Sequence, residues 1–293
     1  MSFGGSRSYG SGMMAQLTPV VKWLLITNLA IFFGDMLFFD EKIAEFGAFT
    51  TTSALAEKKW WQFITFQFIH AHMAHVLFNS IGLYFFGPWM ERWWGAGKFI
   101  VFYLLCGAAG AFFYVVLVGA GILPQSILVP LEGGGLERVP MTKVPLVGAS
   151  AGIYGILIGV AVIAPALRVS LLFPPVTLTM RRLALILMAI SVLIIVFKIG
   201  GNEGGEAGHL GGAIMGFFLM QVWIWFSSKG GSFGKMRGPR KDIEPKIRPR
   251  TMVDLRSESE IDRLLDKISK DGFQSLTEEE RDLLHQAAKS QEK

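Results

Sequence analysis

The sequence predicts an all-α, polytopic membrane protein: a six-transmembrane-helix bundle followed by a cytoplasmic C-terminal helical hairpin. Hydrophobic residues make up 52% of the 293 positions, the mean hydropathy is +0.44, and charged residues reach only 17%, against about 25% in a soluble domain. The charges are also concentrated, since residues 229–293 hold 15 of the 28 Lys and Arg and 13 of the 23 Asp and Glu. This distribution predicts a membrane body with a soluble tail.

Membrane-spanning helices account for the body. Each needs about 20 mostly apolar residues, and six runs qualify: residues 19–39, 62–88, 98–123, 146–167, 182–200 and 207–226. The first run is long and lacks a clear cleavage site, so we interpret it as a retained span. The predicted domains are a flexible N-terminal segment (1–16), a six-helix domain (17–228), a basic Pro/Gly-rich linker (229–250) and an amphipathic helical hairpin (251–293).

Two short amphipathic helices are predicted in the tail. Ser257 and Glu260 form a capping box for the first helix, which Gly272 would end, and Thr277 and Glu280 form one for the second. The apolar faces would consist of Ile261, Leu264, Leu265 and Ile268 in the first helix and Leu283, Leu284 and Ala287 in the second. This hairpin either packs on itself or docks on a partner, and the sequence leaves both interpretations open.

Basic residues predict the orientation in the membrane. The loops alone are nearly balanced, with five Lys and Arg on one side and six on the other. The linker adds eight more Lys and Arg, so the basic residues of the chain ends, rather than those of the loops, determine the predicted orientation. We therefore expect an integral, multi-pass protein of the cell (inner) membrane with both termini in the cytoplasm.

Four polar residues inside the spans are the candidates for function, because polar groups are costly in a bilayer. His75 and Asn79 lie in the second span, Ser150 near the start of the fourth, and His209 near the start of the sixth. In the predicted topology, all three spans enter from the outer face. The four side chains should therefore lie together in the outer half of the bilayer.

Small residues beside these positions predict close helix packing. Gly148, Gly152, Gly155 and Gly159 follow one face of the fourth span, and Gly208, Gly212 and Gly216 follow one face of the sixth. Such stripes let two membrane helices approach closely. A serine beside one stripe and a histidine beside the other can then come within hydrogen-bond distance.

Acyl transfer is the chemistry that this combination supports. A serine hydroxyl becomes a nucleophile when a base takes its proton, and histidine suits that task near neutral pH. Glu206 precedes His209 by three residues, but we expect it at the aqueous edge, which leaves a Ser–His dyad without a third acid. His75 and Asn79 share one helix face and, with the Ser150 backbone N–H, would stabilise the tetrahedral oxyanion.

A metal site is the competing interpretation of the segment that holds His70, His72 and His75. On a helix, His70 and His72 would point to different faces, and no carboxylate or thiolate lies nearby in the sequence. We therefore expect no metal and no cofactor. The net charge of +5 gives no reason to expect nucleic acid, because basic residues normally flank membrane spans.

Taken in order, these motifs resemble the rhomboid family of intramembrane serine proteases over roughly residues 17–228. Gly148-Ala149-Ser150 resembles the nucleophile motif of the family, and His209 resembles its general base. Further matches are His75 and Asn79 as the oxyanion pair, His70 as a mainly structural histidine, Tyr154 as the tyrosine that packs on the base, and Glu91-Arg92 at the inner end of the second span.

Two departures from the family pattern stand out. Ala151 follows the serine where the family usually has glycine, a small change that we expect to be tolerated. Trp61-Gln62 replaces the Trp-Arg pair of the first loop, which questions the anchoring of that loop. The resemblance implies a rhomboid-like bundle, a lipid bilayer as the environment, and single-pass transmembrane proteins as substrates, cleaved within or beside their membrane helix from the outer face.

Two other functions compete with the protease. A catalytically inactive rhomboid-like protein that binds membrane clients would be expected to lack Ser150 or His209, and both are present. A transporter or channel would carry ionisable residues at the midplane of several spans or an inverted repeat. The sequence has neither, and the protease remains the prediction.

Overall fold

The computed structural model describes residues 17–130, 134–171, 175–228 and 263–291. The chain divides into two units, Met1–Gly238 and Pro239–Lys293. The predicted N-terminal segment and basic linker lie outside the described residues, as does the capping box of Ser257 and Glu260.

Helices form most of the first unit. In chain order they are α1 (Pro19–Gly34), α2 (Lys42–Gly47), α3 (Gln62–Thr65), α4 (Met73–Trp94), α5 (Ala96–Gly119), α6 (Ser150–Ile163), α7 (Met180–Phe197) and α8 (Glu203–Ser228). The strands are β1 (Ser126–Pro130), β2 (Leu136–Pro140), β3 (Arg168–Ser170) and β4 (Thr177–Thr179). The strands pair as two antiparallel hairpins, β1 with β2 and β3 with β4, so the fold is mostly rather than entirely α-helical.

Among the described helices, four are long and apolar enough to cross a membrane. They are Pro19–Phe39, Ala96–Gly119, Met180–Phe197 and Glu203–Ser228. The predicted second and fourth spans correspond to α4, which is 22 residues long but carries polar side chains, and α6, which is apolar but only 14 residues long. The protein is therefore an integral membrane protein by its long apolar helices, while six membrane crossings stay a prediction.

The predicted second span, 62–88, is not one continuous helix. The chain forms α3 and a 3₁₀ turn (Phe66–Phe68), and α4 begins only at Met73. His72 has extended backbone angles, and its side chain accepts a hydrogen bond from the backbone N–H of His75. His72 therefore acts as an N-cap, a role that sets where α4 starts.

The predicted fourth span, 146–167, is shorter than expected at both ends. Gly148 has φ +115°, a backbone conformation that residues other than glycine rarely adopt, and the helix starts two residues later at Ser150. At the other end, α6 stops at Ile163, shortly before Pro165, which cannot donate the next helical hydrogen bond.

Glycine contacts hold α6 against α5 and α8, as the small-residue stripes predict. A Cβ on Gly152 would overlap the Tyr103 ring of α5, and one on Gly212 would overlap the backbone of Ala151. A Cβ on Gly216 would lie 2.7 Å from the Gly155 backbone. The α6 and α8 backbones therefore touch directly, without intervening side chains.

Gln62 anchors the first loop in place of the arginine that the family resemblance led us to expect. Its side chain is 1% exposed; it accepts a hydrogen bond from Ser53 Oγ (2.5 Å) and donates one to the Phe46 carbonyl (3.3 Å). Trp61 donates to the same carbonyl (3.1 Å) and stacks on the Phe46 ring at 5.2 Å. The Trp61-Gln62 pair therefore keeps the anchoring that the sequence left in question.

Glu91 fixes the start of α1. This helix opens with Pro19, which has no N–H to satisfy. The next two backbone N–H groups, of Val20 and Val21, each donate to the Glu91 carboxylate at 3.0 Å. A carboxylate at this position also interacts favourably with the helix dipole, so α4 holds the N-terminal end of α1.

The second unit contains a helix over residues 263–271, here α9, and α10 (Glu278–Gln291). Gly272 follows α9 with φ +80°, and the second capping box is confirmed: Thr277 N–H donates to Glu280 (3.0 Å) and Glu280 N–H to Thr277 Oγ1 (3.3 Å). Lys267 donates to the Glu280 carboxylate at 2.8 Å and lowers its pKa below the usual range.

The predicted apolar faces of the tail are only partly correct. Leu264 is 1% exposed, whereas Leu265 is 51% exposed and Leu283 is 44% exposed. Leu276, in the turn between the helices, is instead buried at 4%. The helices are short, so each buries a narrow stripe, and the turn supplies part of the contact. Ile261 and the side chain of Ala287 lie outside the described residues.

Candidate active site

Ser150 is the first residue of α6. The segment before it is held by paired backbone hydrogen bonds between Leu146 and Phe49, at 2.7 and 3.1 Å. The Gly148 N–H donates to the Phe66 carbonyl at 2.9 Å. A tight turn between a fixed extended segment and a helix therefore presents the serine hydroxyl.

His209 lies in the second turn of α8 and faces Ser150. Its Nε2 atom is 2.8 Å from Ser150 Oγ, and its ring stacks on Tyr154 with centroids 4.2 Å apart and planes 10° apart. The direct backbone contact of α6 with α8 makes this approach possible. A serine hydroxyl can donate its proton to a neutral imidazole in this arrangement.

Glu206 is not at the aqueous edge, contrary to the prediction. It is 8% exposed, and its Oε2 atom lies 3.0 Å from His209 Nδ1 and 2.5 Å from Ser191 Oγ. The prediction failed because α8 begins earlier than expected, at Glu203, and α7 covers this turn. The three-residue spacing to His209 was visible in the sequence, but nothing there indicated Ser191.

His75 and Asn79 lie one turn apart on α4 and approach the backbone beside the serine. A Cβ on Gly148 would lie 2.5 Å from His75 Nε2 and 3.3 Å from Asn79 Nδ2. Within the described part of the chain, the buried Asn79 Nδ2 has no hydrogen-bond partner. A buried donor normally has one, so this amide is available to a group that enters the site.

His70 is buried at 6% exposure and packs its ring against His75, with centroids 5.2 Å apart. His72 also lies near His75, at 5.8 Å between centroids. Among residues 17–130, 134–171, 175–228 and 263–291, no group of three or more His, Cys, Asp or Glu is arranged to hold a metal ion.

A cavity of about 620 Å³ lies beside this cluster. Its lining includes His70, His72, Asp35 and Val147, and Val147 directly precedes Gly148. Asp35 accepts the backbone N–H groups of Ile43 (2.8 Å) and Ala44 (2.9 Å), so it fixes α2 in the cavity wall. Through Val147 the cavity reaches the segment that leads into the turn carrying the serine.

Comparison with known families gives two matches. Residues 57–226, more than half of the chain, match the Rhomboid family, described as a rhomboid domain. Residues 255–290 match DUF6576, a family of unknown function.

Two named proteins are similar to this chain. It is 27% identical over 195 residues to Rhomboid protease GluP of Bacillus subtilis (strain 168); the alignment covers 67% of this chain and 32% of GluP. It is 25% identical over 215 residues to Rhomboid protease AarA of Providencia stuartii, covering 69% of this chain and 71% of AarA. The chain thus spans about a third of the length of GluP and most of that of AarA.

Proposed function

This chain belongs to the rhomboid family, and we propose that it is an intramembrane serine endopeptidase that cleaves transmembrane-anchored proteins within or beside their membrane helix. The observation that carries the proposal is the 2.8 Å approach of Ser150 Oγ to His209 Nε2. The similarity to two rhomboid proteases supports the same class of reaction.

Ser150 is the nucleophile and His209 the general base. The Ser150 Oγ–H proton passes to His209 Nε2 as Oγ bonds to the scissile carbonyl carbon. When the C–N bond breaks, His209 returns the proton to the leaving amine, and an acyl-enzyme ester remains. His209 then takes a proton from water as the water oxygen bonds to the ester carbon. When the bond from that carbon to Ser150 Oγ breaks, His209 returns the proton to Oγ, which restores both residues. These steps require neither metal nor cofactor.

Asn79, His75 and the Ser150 backbone N–H stabilise the negative oxygen of the tetrahedral intermediates. The unpartnered Asn79 Nδ2 supports this role, because an oxyanion would supply the acceptor that the described residues do not. Donors fixed in place before the reaction need no reorganisation when charge develops. Ser150 contributes its N–H from the first turn of α6, where backbone donors have no helical partner.

The substrates are single-pass membrane proteins, and the site opens toward the outer face, with both termini of the enzyme in the cytoplasm. Water has to reach Ser150, and the bilayer core contains none. A helical segment hides its amides within its own hydrogen bonds, so the substrate unwinds locally before attack. Residues with low helix propensity ease that unwinding.

The test uses the purified full-length chain in detergent with EDTA present. Cleavage of a transmembrane substrate and labelling by a fluorophosphonate probe are measured in separate, parallel reactions. We expect the wild type to cleave the substrate and to be labelled at Ser150, and both Ser150→Ala and His209→Ala to do neither. Ser170→Ala, which changes an exposed serine of β3, should behave as wild type. Substrate binding without cleavage or labelling in the wild type would instead support the inactive client-binding protein.

A further inference from the structure

We propose that Glu206 is a positioning residue for His209, so that the reacting groups form a Ser–His–Glu arrangement. The inference rests on the proposed function, since it assigns a role in that reaction. Glu206 Oε2 is 3.0 Å from His209 Nδ1, and His209 Nε2 is 2.8 Å from Ser150 Oγ. The three side chains are therefore joined through the two nitrogens of one imidazole.

The position of Glu206 follows from the helix that carries it. Glu206 and His209 are three residues apart on α8, a spacing that places two side chains on the same helix face. Ser191 of α7 donates to the same Oε2 atom at 2.5 Å. The carboxylate is therefore held from two elements, and its orientation toward His209 does not depend on α8 alone.

The Glu206 carboxylate is buried, so its hydrogen bonds to Ser191 and His209 matter for stability as well as for geometry. Glu206 is 8% exposed, and a buried carboxylate is strongly unfavourable unless hydrogen bonds or a nearby positive charge compensate it. The contacts to Ser191 and His209 supply this compensation. Glu203, in the same turn of α8, is also buried, at 3% exposure. The role is therefore assigned to Glu206 from its bonds to Ser191 and His209, not from burial alone.

The carboxylate determines which nitrogen of His209 carries hydrogen. An ionised carboxylate only accepts hydrogen bonds, so Nδ1 has to be the donor. Nε2 then presents its lone pair to Ser150 Oγ–H, as a general base requires. The stacked Tyr154 ring restrains the imidazole from its face, while Glu206 restrains it in its plane.

The charge of Glu206 acts when the proton moves. Once Nε2 takes the serine proton, the imidazole is positively charged and lies beside a carboxylate that is largely shielded from solvent. Their attraction is stronger there than in bulk solvent. Glu206 keeps its own charge throughout, as the acid of a soluble serine protease triad does.

The test compares Glu206→Gln with Glu203→Gln in the full-length enzyme. Glu203 is also acidic, lies in the first turn of α8 and is buried at 3% exposure, so it matches Glu206 in charge and helix position. We expect Glu206→Gln to lower kcat by about 10²- to 10⁴-fold with KM within about threefold of wild type. Glu203→Gln should keep the wild-type kcat, and both variants should keep the thermal midpoint.

Two further variants separate charge from folding. Glu206→Asp keeps the carboxylate but shortens its reach, so its kcat should lie between those of wild type and Glu206→Gln. Ser191→Ala removes the hydroxyl that orients Glu206 and should lower kcat about fivefold to tenfold at unchanged KM, as expected for the loss of one hydrogen bond. This second variant tests the proposal even if Glu206→Gln does not fold.

Cleavage rates, together with fluorophosphonate labelling of Ser150, distinguish failure of the positioning role of Glu206 from failure of the proposed protease activity. If Glu206→Gln and Ser191→Ala cleave at the wild-type rate while His209→Ala is inactive, the positioning role is wrong and the protease stands. If Glu206→Gln and Glu203→Gln lose the same factor in kcat, the loss reflects a general change at the start of α8. That result would also contradict the positioning role of Glu206. A wild-type chain that neither cleaves nor is labelled would overturn both.

Discussion

Asn79 and Asn28 of α1 are the two asparagines, among the described residues, whose buried side-chain nitrogen has no hydrogen-bond partner. Asn79 Nδ2 would lie 3.3 Å from a Cβ on Gly148, two residues before the nucleophile. We expect Asn79→Ala to lower kcat by about 10²- to 10³-fold, the cost of removing one oxyanion donor in a soluble protease. Residual activity should remain, since His75 and the Ser150 N–H still donate.

The control for Asn79→Ala is Asn28→Ala, which removes another buried amide with an unpartnered nitrogen, on α1. Turnover of the transmembrane substrate at equal concentrations of purified chain measures both variants. If the two lose the same activity, the effect is one of packing. An Asn79→Ala enzyme with unchanged turnover would remove Asn79 from the oxyanion site.

At the scale of elements, Gly212 is the residue that keeps α6 and α8 in contact. A side chain there would overlap the Ala151 backbone, one residue from the nucleophile. We expect Gly212→Val to separate the helices and lower kcat by about 10²-fold, as displacements near 1 Å do, and to destabilise the fold by about 1–3 kcal/mol.

Gly97→Ala is the matched control, because a Cβ on Gly97 of α5 meets no atom within 4 Å. Activity and thermal midpoint are measured for both glycine variants. Wild-type activity in Gly212→Val would show that α6 and α8 tolerate separation, which contradicts the direct backbone contact as the source of the Ser150–His209 geometry.

Sequence patterns predicted the glycine contacts between α6 and α8 better than they predicted where the helices begin and end. The glycine spacings are a local property, and they indicated correctly which faces of α6 and α8 meet. The start of α4 depends on His72 as an N-cap, and the start of α6 depends on the positive φ of Gly148. Neither conformation follows from an apolar run, so the second and fourth spans were predicted too long.

The burial of Glu206 was missed for a related reason. Its depth depends on how early α8 starts and on Ser191, which comes from a helix whose rotation the sequence does not specify. The β1–β2 and β3–β4 hairpins were also missed, because five- and three-residue strands between long helices give a weak period-two pattern. The local motifs thus indicate the candidate residues, whereas long-range packing determines which of them are buried and what they contact.

At the scale of the whole molecule, we expect the tail to be dispensable for chemistry. The candidate residues lie in the first unit, and α8 ends at Ser228, before the residues that match DUF6576. A chain that ends at Ser228 should therefore cleave a model substrate in detergent at close to the rate of the full-length enzyme. The measurement is the initial rate per labelled Ser150.

A second variant tests the same expectation without truncation. Leu264→Asp places a charge at the most buried position of α9, 1% exposed, and should disrupt the hairpin while leaving the first unit intact. A drop of more than tenfold in either variant would mean that the tail acts on the active site and is not a separate module.

The glycine contacts between α6 and α8 also reduce the side-chain conformational entropy that is lost when these helices pack together. Side chains that meet across an interface have rotamers to order, whereas two touching backbones have none. The distance between Ser150 and His209 is therefore set when the chain folds, and no further ordering of the helices is needed on each catalytic cycle. In this molecule, the residues with no side chain limit the freedom of the two that react.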